Sequence, residues 1–473
     1  MPEEQTRVEK IIAHPRKAVW SLSLPVFFGM VVQYLYNLTD TFFVSRIGGD
    51  AIAAMQFNLP FVFFAISICF GLGIGITSLI SRALGAKNKR LANNAAEHAV
   101  IIGVVLGILI SVLSIVFRYP IFRLLGAPEN ILGLAVQYFE VIVFGFVFNI
   151  LNEFFRSVLT GEGDVRTPVR FMIIGTIVNV ILDPIYIFAF KLGIAGAAWA
   201  TITAHLVVTL LYIYFFFIRK GSLVQFAFGD FSFSWDILKT IFRVGLPASL
   251  AFVVMSLGQM LFNRIVVIFG SDAVAGVGVG MRMDQLFFLP IMACASAMVT
   301  LTGMLYGAKR FDLMRSTYLY VIGCGEIIAL TLGIFFYLIS PYFIRIFSTE
   351  PAITSVGIMY VRYNVFAYPF IVIGMISGRV FQGFGKGVPG LIITTIRIAI
   401  IVVPLAILFT QVLGWGVQGV FIAQIISSFS AAVIAFTWIR GSMKKIEEKT
   451  FISGEIYERA TQLSVERIDE RST

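Results

Sequence analysis

The stretch Val19–Val44, reading VWSLSLPVFFGMVVQYLYNLTDTFFV, decides the class of the molecule. It is longer than the roughly 20 residues that carry a helix across a bilayer. Yet it holds Pro25 in its first third and a carboxylate, Asp40, near its far end. A charge kept inside hydrocarbon costs at least about 2.5–3.5 kcal/mol on insertion scales, so a span that retains one is a candidate for function.

The rest of the 473-residue chain follows the same pattern, with 58% hydrophobic and only 13% charged residues, which excludes an ordinary soluble globular protein. Twelve apolar runs, at 18–45, 51–82, 93–117, 131–158, 168–190, 195–218, 238–269, 271–305, 315–340, 352–380, 389–411 and 416–439, are each long enough to span as a helix. The net charge of +10 comes from Lys and Arg in the short loops between runs, where they set orientation, so nucleic acid is not an expected partner. Loops on one side carry basic residues from Arg82 to Lys386, whereas the other side carries only Arg46, Arg118, Arg123, Lys191 and Arg345. The positive-inside rule then predicts that both termini are cytoplasmic. All five tryptophans sit at run ends, as an interfacial belt requires. Cys69, Cys294 and Cys324 lie inside apolar runs without metal-ligand spacing and read as packing residues. No nucleophile–base arrangement or phosphate-binding loop is visible, which argues against an enzyme or an ATP-driven pump, and no cofactor is expected.

The two halves repeat. Pro25 matches Pro247, Gly48-Gly-Asp-Ala matches Gly270-Ser-Asp-Ala, Gly85-Ala-Lys matches Gly307-Ala-Lys, and Gly161-Glu-Gly matches Gly383-Phe-Gly. Every pair is offset by 222 residues (247 − 25, 270 − 48, 307 − 85, 383 − 161). Six spans per repeat leave both halves in the same orientation, related by an axis along the membrane normal. The predicted layout is a cytoplasmic segment (1–17), a first lobe (18–218), a cytoplasmic linker (219–237), a second lobe (238–439) and a charged tail (440–473). A substrate cavity is expected between the lobes.

Helical spacing puts Asp40, Asn179, Asp183 and Thr201 at similar depth near the outer ends of spans 1, 5 and 6. Two carboxylates, an amide oxygen and a hydroxyl form a hard-oxygen set suited to Na+ or to a shared proton. Pro184, directly after Asp183, is expected to bend span 5 and free a carbonyl. The second half has no counterpart, since 40 + 222 is Phe262 and 183 + 222 is Leu405. The cavity wall is expected to include Tyr36, Asn37, Glu140 and Asn152. Glu140 and Arg362 occupy equivalent positions, and either face each other across the cavity or pair with separate neighbours. Glu153 and Arg156 read as a local ion pair, while Arg282, Asp284, Glu326 and Arg397 read as inward-facing without an assignable role. His98 and His205 read as packed, and the glycine runs from Gly71 and from Gly276 read as close helix contacts.

In these residues the chain resembles the multidrug and toxic compound extrusion (MATE) family, and within it the DinF-like prokaryotic branch. The resemblance rests on Tyr36-Asn-Leu-Thr-Asp40 leading to Gly48-Gly-Asp-Ala, on Gly161-Glu-Gly-Asp164 to Pro168, and on Asn179-Val-Ile-Leu-Asp183-Pro184. It implies an all-α membrane protein of 12 transmembrane helices in two six-helix lobes around a V-shaped cavity. It further implies export of amphiphilic, often cationic compounds in exchange for H+ or Na+, by a monomer in a prokaryotic plasma membrane in contact with its lipids. Asp40, Asn179, Asp183 and Thr201 match that branch's cation site, and Pro25 matches the proline at which its first helix bends. The NorM-like branch uses acids in helices 7 and 10, which are absent here. The competing expectation is a lipid-precursor flippase of the same wider superfamily, which would need a deeply cationic cavity.

Overall fold

The computed structural model describes residues 6–469 except 125, 127, 228 and 230; for 124, 130 and 449–469 it describes the backbone alone. The described residues contain helices and no strand. A backbone in lipid must satisfy its own polar groups, and a helix does so within one segment.

A short helix α1 (Arg7–Ala13) precedes the first lobe, which is built from α2 (Pro15–Ser45), α3 (Gly49–Gly85), α4 (Lys89–Val116), α5 (Arg118–Leu124), α6 (Glu129–Phe144), α7 (Phe146–Gly161), α8 (Arg166–Pro184) and α9 (Ile194–Ile213). The second lobe comprises α10 (Trp235–Val267), α11 (Ser271–Gly307), α12 (Phe311–Phe347), α13 (Pro351–Asn364), α14 (Tyr368–Gly383), α15 (Val388–Thr395), α16 (Val402–Ile407) and α17 (Val417–Asp469). Among the described residues ten helices are long and apolar enough to cross a membrane unaided. The runs at 131–158 and 352–380, expected as single helices, are each broken: α6 and α7 meet at 46°, α13 and α14 at 55°. The first break falls at Gly145, which packs so tightly on Ile202 that a side chain there would collide. The second falls at 365–367, and Pro369 in the first turn of α14 has no N–H to continue the ladder. Counting each bent pair as one span gives 12, six per half.

Pro184 does not simply kink span 5. Lacking an N–H, it leaves the Val180 carbonyl without its helical donor, and the chain runs on as a π turn over Ile185–Ala189. α2, by contrast, passes through Pro25 as one unbroken helix.

The lobes close on each other at the end where the basic loops gather. Ser78 Oγ on α3 donates to the Gln382 carbonyl at 2.5 Å, and Thr300 Oγ1 on α11 donates to the Thr160 carbonyl at 2.9 Å. These two bonds exchange under the repeat, because 300 − 78 and 382 − 160 are both 222. The glycine pair behaves alike: a Cβ on Gly85 would strike Met304, and one on Gly307 would strike Arg82. At the opposite end Gly48, Gly49 and Gly270 have nothing within 4 Å of their Cβ positions. The molecule is therefore sealed at its basic end.

α1 lies across that seal. Its N-terminus carries a capping box between Thr6 and Glu9, and Val8 and Ile11 bury themselves against the lobes. Arg7 reaches both Glu162 (3.5 Å) and Asp164 (3.2 Å). The linker is stitched to the same end: Ser222 Oγ, Leu223 N–H and Val224 N–H all donate to Glu162 Oε2, and Ser234 N–H donates to His98 Nε2. His98 thus packs as expected, on the α4 face that also supplies Asn93, Asn94 and Glu97 to the linker.

Candidate functional site

The four residues singled out for cation binding come together in the first lobe. Asp40 on α2 is 6% exposed, and Asn179 and Asp183 on α8 are fully buried. In the orientation that gives both amide atoms a partner, Asn179 donates to Asp183 Oδ2 at 3.2 Å and accepts from the Thr201 N–H at 3.2 Å. Thr201 Oγ1 on α9 shares a hydrogen bond with Tyr36 OH at 3.3 Å. Tyr36 sits one turn before Asp40 on the same face of α2. Among the described residues Asp40 Oδ1 is buried without a hydrogen-bond partner, an unsatisfied acceptor of the kind that burial makes costly. Asp40, Asp183 and Tyr36 lie within electrostatic reach of each other. Oxygen donors alone suit a hard cation, and among the described residues no trio of His, Cys, Asp or Glu gathers elsewhere to hold a metal.

Tyr138 on α6, 7% exposed, reaches the same charges and had no sequence signal, since it is one aromatic in an apolar run.

Of the four residues expected on the cavity wall, Asn37 is there. A cavity of about 590 Å³ is bounded by α2 of the first lobe and by α10, α11, α14 and the α15 segment of the second. α2 presents Tyr34, Asn37, Leu38 and Thr41 to it, a stripe at helical spacing. Tyr36 turns instead to Thr201. Glu140 is drawn off by Arg118 at 2.6 Å, while Arg362 lies over the Tyr337 ring at 5.0 Å, so the two pair with separate neighbours. Asn152 donates to the His205 carbonyl at 2.9 Å and accepts from Thr209, which ties α7 to α9.

The other polar residues also find places. Glu153 and Arg156 form the expected ion pair, with Arg156 Nε donating to Glu153 Oε2 at 2.9 Å. Asp284 on α11 accepts from Tyr360 OH (2.5 Å), Asn364 Nδ2 (2.7 Å) and Tyr368 OH (2.7 Å), which pins both pieces of the broken α13–α14 span to one carboxylate. Arg282 stacks over Phe347 at 5.1 Å, and Glu326 keeps a buried Oε1 without a partner. Arg397 lines the cavity, as does Arg379, which the sequence had not marked out.

Two six-span repeats closed at one end around a cavity, with a buried carboxylate pair in one half, define a membrane transporter and not an enzyme. The chain belongs to the MatE family: the family profile matches residues 25–185 and 247–408, two stretches that begin 222 residues apart (247 − 25). A Thermotoga maritima protein described as a probable multidrug resistance protein NorM is 28% identical over 463 residues, covering 96% of each chain. A crystal structure of a MATE protein in the bent conformation matches with TM-score 0.90 at 32% identity, covering 94% of this chain and 99% of that one. A second, in the straight conformation, matches with TM-score 0.89 at 32% identity, covering 94% and 100%.

Proposed function

We propose that this protein exports small amphiphilic molecules, cationic ones among them, from a prokaryotic cell in exchange for H+ or Na+, as a plasma-membrane monomer with its basic end and both termini in the cytoplasm. The observation that carries this is the division of labour on α2. One face, Tyr36 and Asp40, belongs to the buried oxygen cluster, and another, Tyr34, Asn37, Leu38 and Thr41, belongs to the cavity wall. A cation that completes the partnerless Asp40 oxygen and screens Asp40 from Asp183 favours one placement of α2, and cargo against the other face favours another. When two ligands prefer opposite states, each weakens the other, and a coupling of about 1–3 kcal/mol changes affinity about 5- to 150-fold. The cavity is sealed at the basic end, so this conformer is poised to release cargo outward.

The test is efflux of amphiphilic dyes of either charge, rhodamine 6G among the cationic ones, from reconstituted vesicles under imposed H+ or Na+ gradients. Asp40→Asn and Asp183→Asn are each expected to abolish gradient-driven efflux while eluting as folded protein, and to flatten the dependence of dye affinity on pH or Na+. Parent-like export with parent-like ion dependence in both variants would exclude the first-lobe site.

One observation favours a lipid-precursor flippase as the second reading: the charged groups on the cavity wall are arginines.

A further inference from the structure

The wall of the 590 Å³ cavity carries two arginines, Arg379 on α14 and Arg397 in the π turn that follows α15, and no carboxylate. Neither guanidinium has an ion pair among the described residues. Arg379 donates through Nη1 to the neutral Gln382 Oε1 at 3.2 Å and lies over the Phe252 ring at 6.0 Å. Arg156, whose charge reaches Arg379, is itself closed by Glu153. Among the described residues the Arg397 side chain makes no hydrogen bond, while its backbone carbonyl accepts from Ser427 Oγ. Guanidinium does not lose its proton in proteins, so an arginine at membrane depth keeps its charge and must find an anion or remain hydrated. Its planar fork matches the oxygens of a carboxylate or phosphate bidentately. Around the two charges the wall is apolar and soft, with Phe252, Met255, Phe288 and Met292.

We propose that this cavity recognises amphiphiles by an anionic head group, a carboxylate or phosphate held between Arg379 and Arg397, with the apolar body against Phe252, Met255, Phe288 and Met292. The proposal rests on the transport reading above and names the class of cargo taken by the second-lobe side of the cavity. The acids of the first lobe lie on the far face of α2 and leave the basic field of this cavity intact, so one helix separates a cation site from an anion site.

The test is binding to the purified full-length protein in nanodiscs of neutral lipid. The probes are dansyl-undecanoic acid, its methyl ester and the corresponding dansyl alkylamine, which share a body and differ in head charge. The acid is expected to bind about 10-fold or more tighter than the ester, the scale of one charge-assisted contact, and the amine weakest. The double variant Arg379→Gln/Arg397→Gln should bring the acid-to-ester ratio close to one, and Arg379→Lys/Arg397→Lys should keep most of it. Competition with dioctanoyl phosphatidic acid separates the sources: stronger displacement by the phosphatidate identifies a lipid head, weaker displacement a soluble carboxylate, and both support the anionic class. Equal affinity of the unaltered protein for acid and ester, or tighter binding of the amine, overturns the proposal without recourse to any variant. The transport reading fails in a different way, if neither H+ nor Na+ gradients move any of the three probes in vesicles while the preference for the acid persists.

Discussion

Glu162 shows what one residue does at the sealed end. It is fully buried between the lobes, the linker and α1, and burial pushes its carboxyl up to about 7, although Ser222, the Val224 N–H and Arg7 all favour its charged form. A carboxyl that holds its proton more tightly when packed stabilises that packing fully below its ordinary value of 4.5, and the contribution is lost as pH rises through about 7. Amide exchange in α1 and in residues 222–224 is therefore expected to be slow at pH 5.5 and faster at pH 8.5. Glu162→Gln should remove that difference, and an unchanged pH response in the variant would assign the effect to another group. The Gly161-Glu-Gly163 motif flagged this position in the sequence, but not its partners. Those come from the linker 60 residues later, a pairing that no local spacing encodes. The carboxylates Asp40 and Asp183 were legible for the opposite reason, since a charge in an apolar run is conspicuous wherever it points. Arg379 gave no direction, because its helical neighbour Gln382 is neutral and the wall that the pair lines is set by packing against other helices.

Among the elements, α2 matters most. It remains helical through Pro25 although proline removes a donor and crowds the preceding turn, a local weakness worth about 3 kcal/mol in an ordinary helix interior. In the proposed exchange, that weakness would let the outer half, with Asp40 on one face and Asn37 on another, change direction independently of the inner half. Pro25→Ala is expected to fold and elute normally, to bind dye with little dependence on H+ or Na+, and to transport at least about 10-fold more slowly, the scale of a lost coupling of 1–3 kcal/mol. Normal turnover would place the moving joint elsewhere. Element positions were the most legible part of the fold, because a hydrocarbon layer of fixed thickness sets the length of every span. The breaks at Gly145 and at 365–367 were not, because glycine is common in membrane helices and only the close approach of Ile202 makes Gly145 a corner.

For the whole molecule, the internal repeat and the seal imply rocking of one lobe against the other. Spin labels at Asp50 and Asp272, in the first turns of α3 and α11 at the open end, are expected to report a long distance in this state and a shorter one when the basic end opens, with populations that shift with pH or Na+. One fixed distance under all conditions would exclude rocking. The 222-residue offset made this architecture readable from sequence alone, while the cavity's charge was not, since it depends on which side chains meet across α2, α10, α11, α14 and the α15 segment.

The seal has a consequence for the origin of the molecule. Ser78 bonding to the Gln382 carbonyl and Thr300 bonding to the Thr160 carbonyl amount to one contact made twice, with donor and acceptor traded between halves. That is the signature of an isologous interface, in which surface i meets j and j meets i. Each half carries both sides of the contact, so a six-span chain of either half alone would meet a second copy of itself with complementary patches already in place. The fused protein is in that sense a homodimer whose two subunits have been free to differ, one carrying Asp40 and Asp183, the other Arg379 and Arg397.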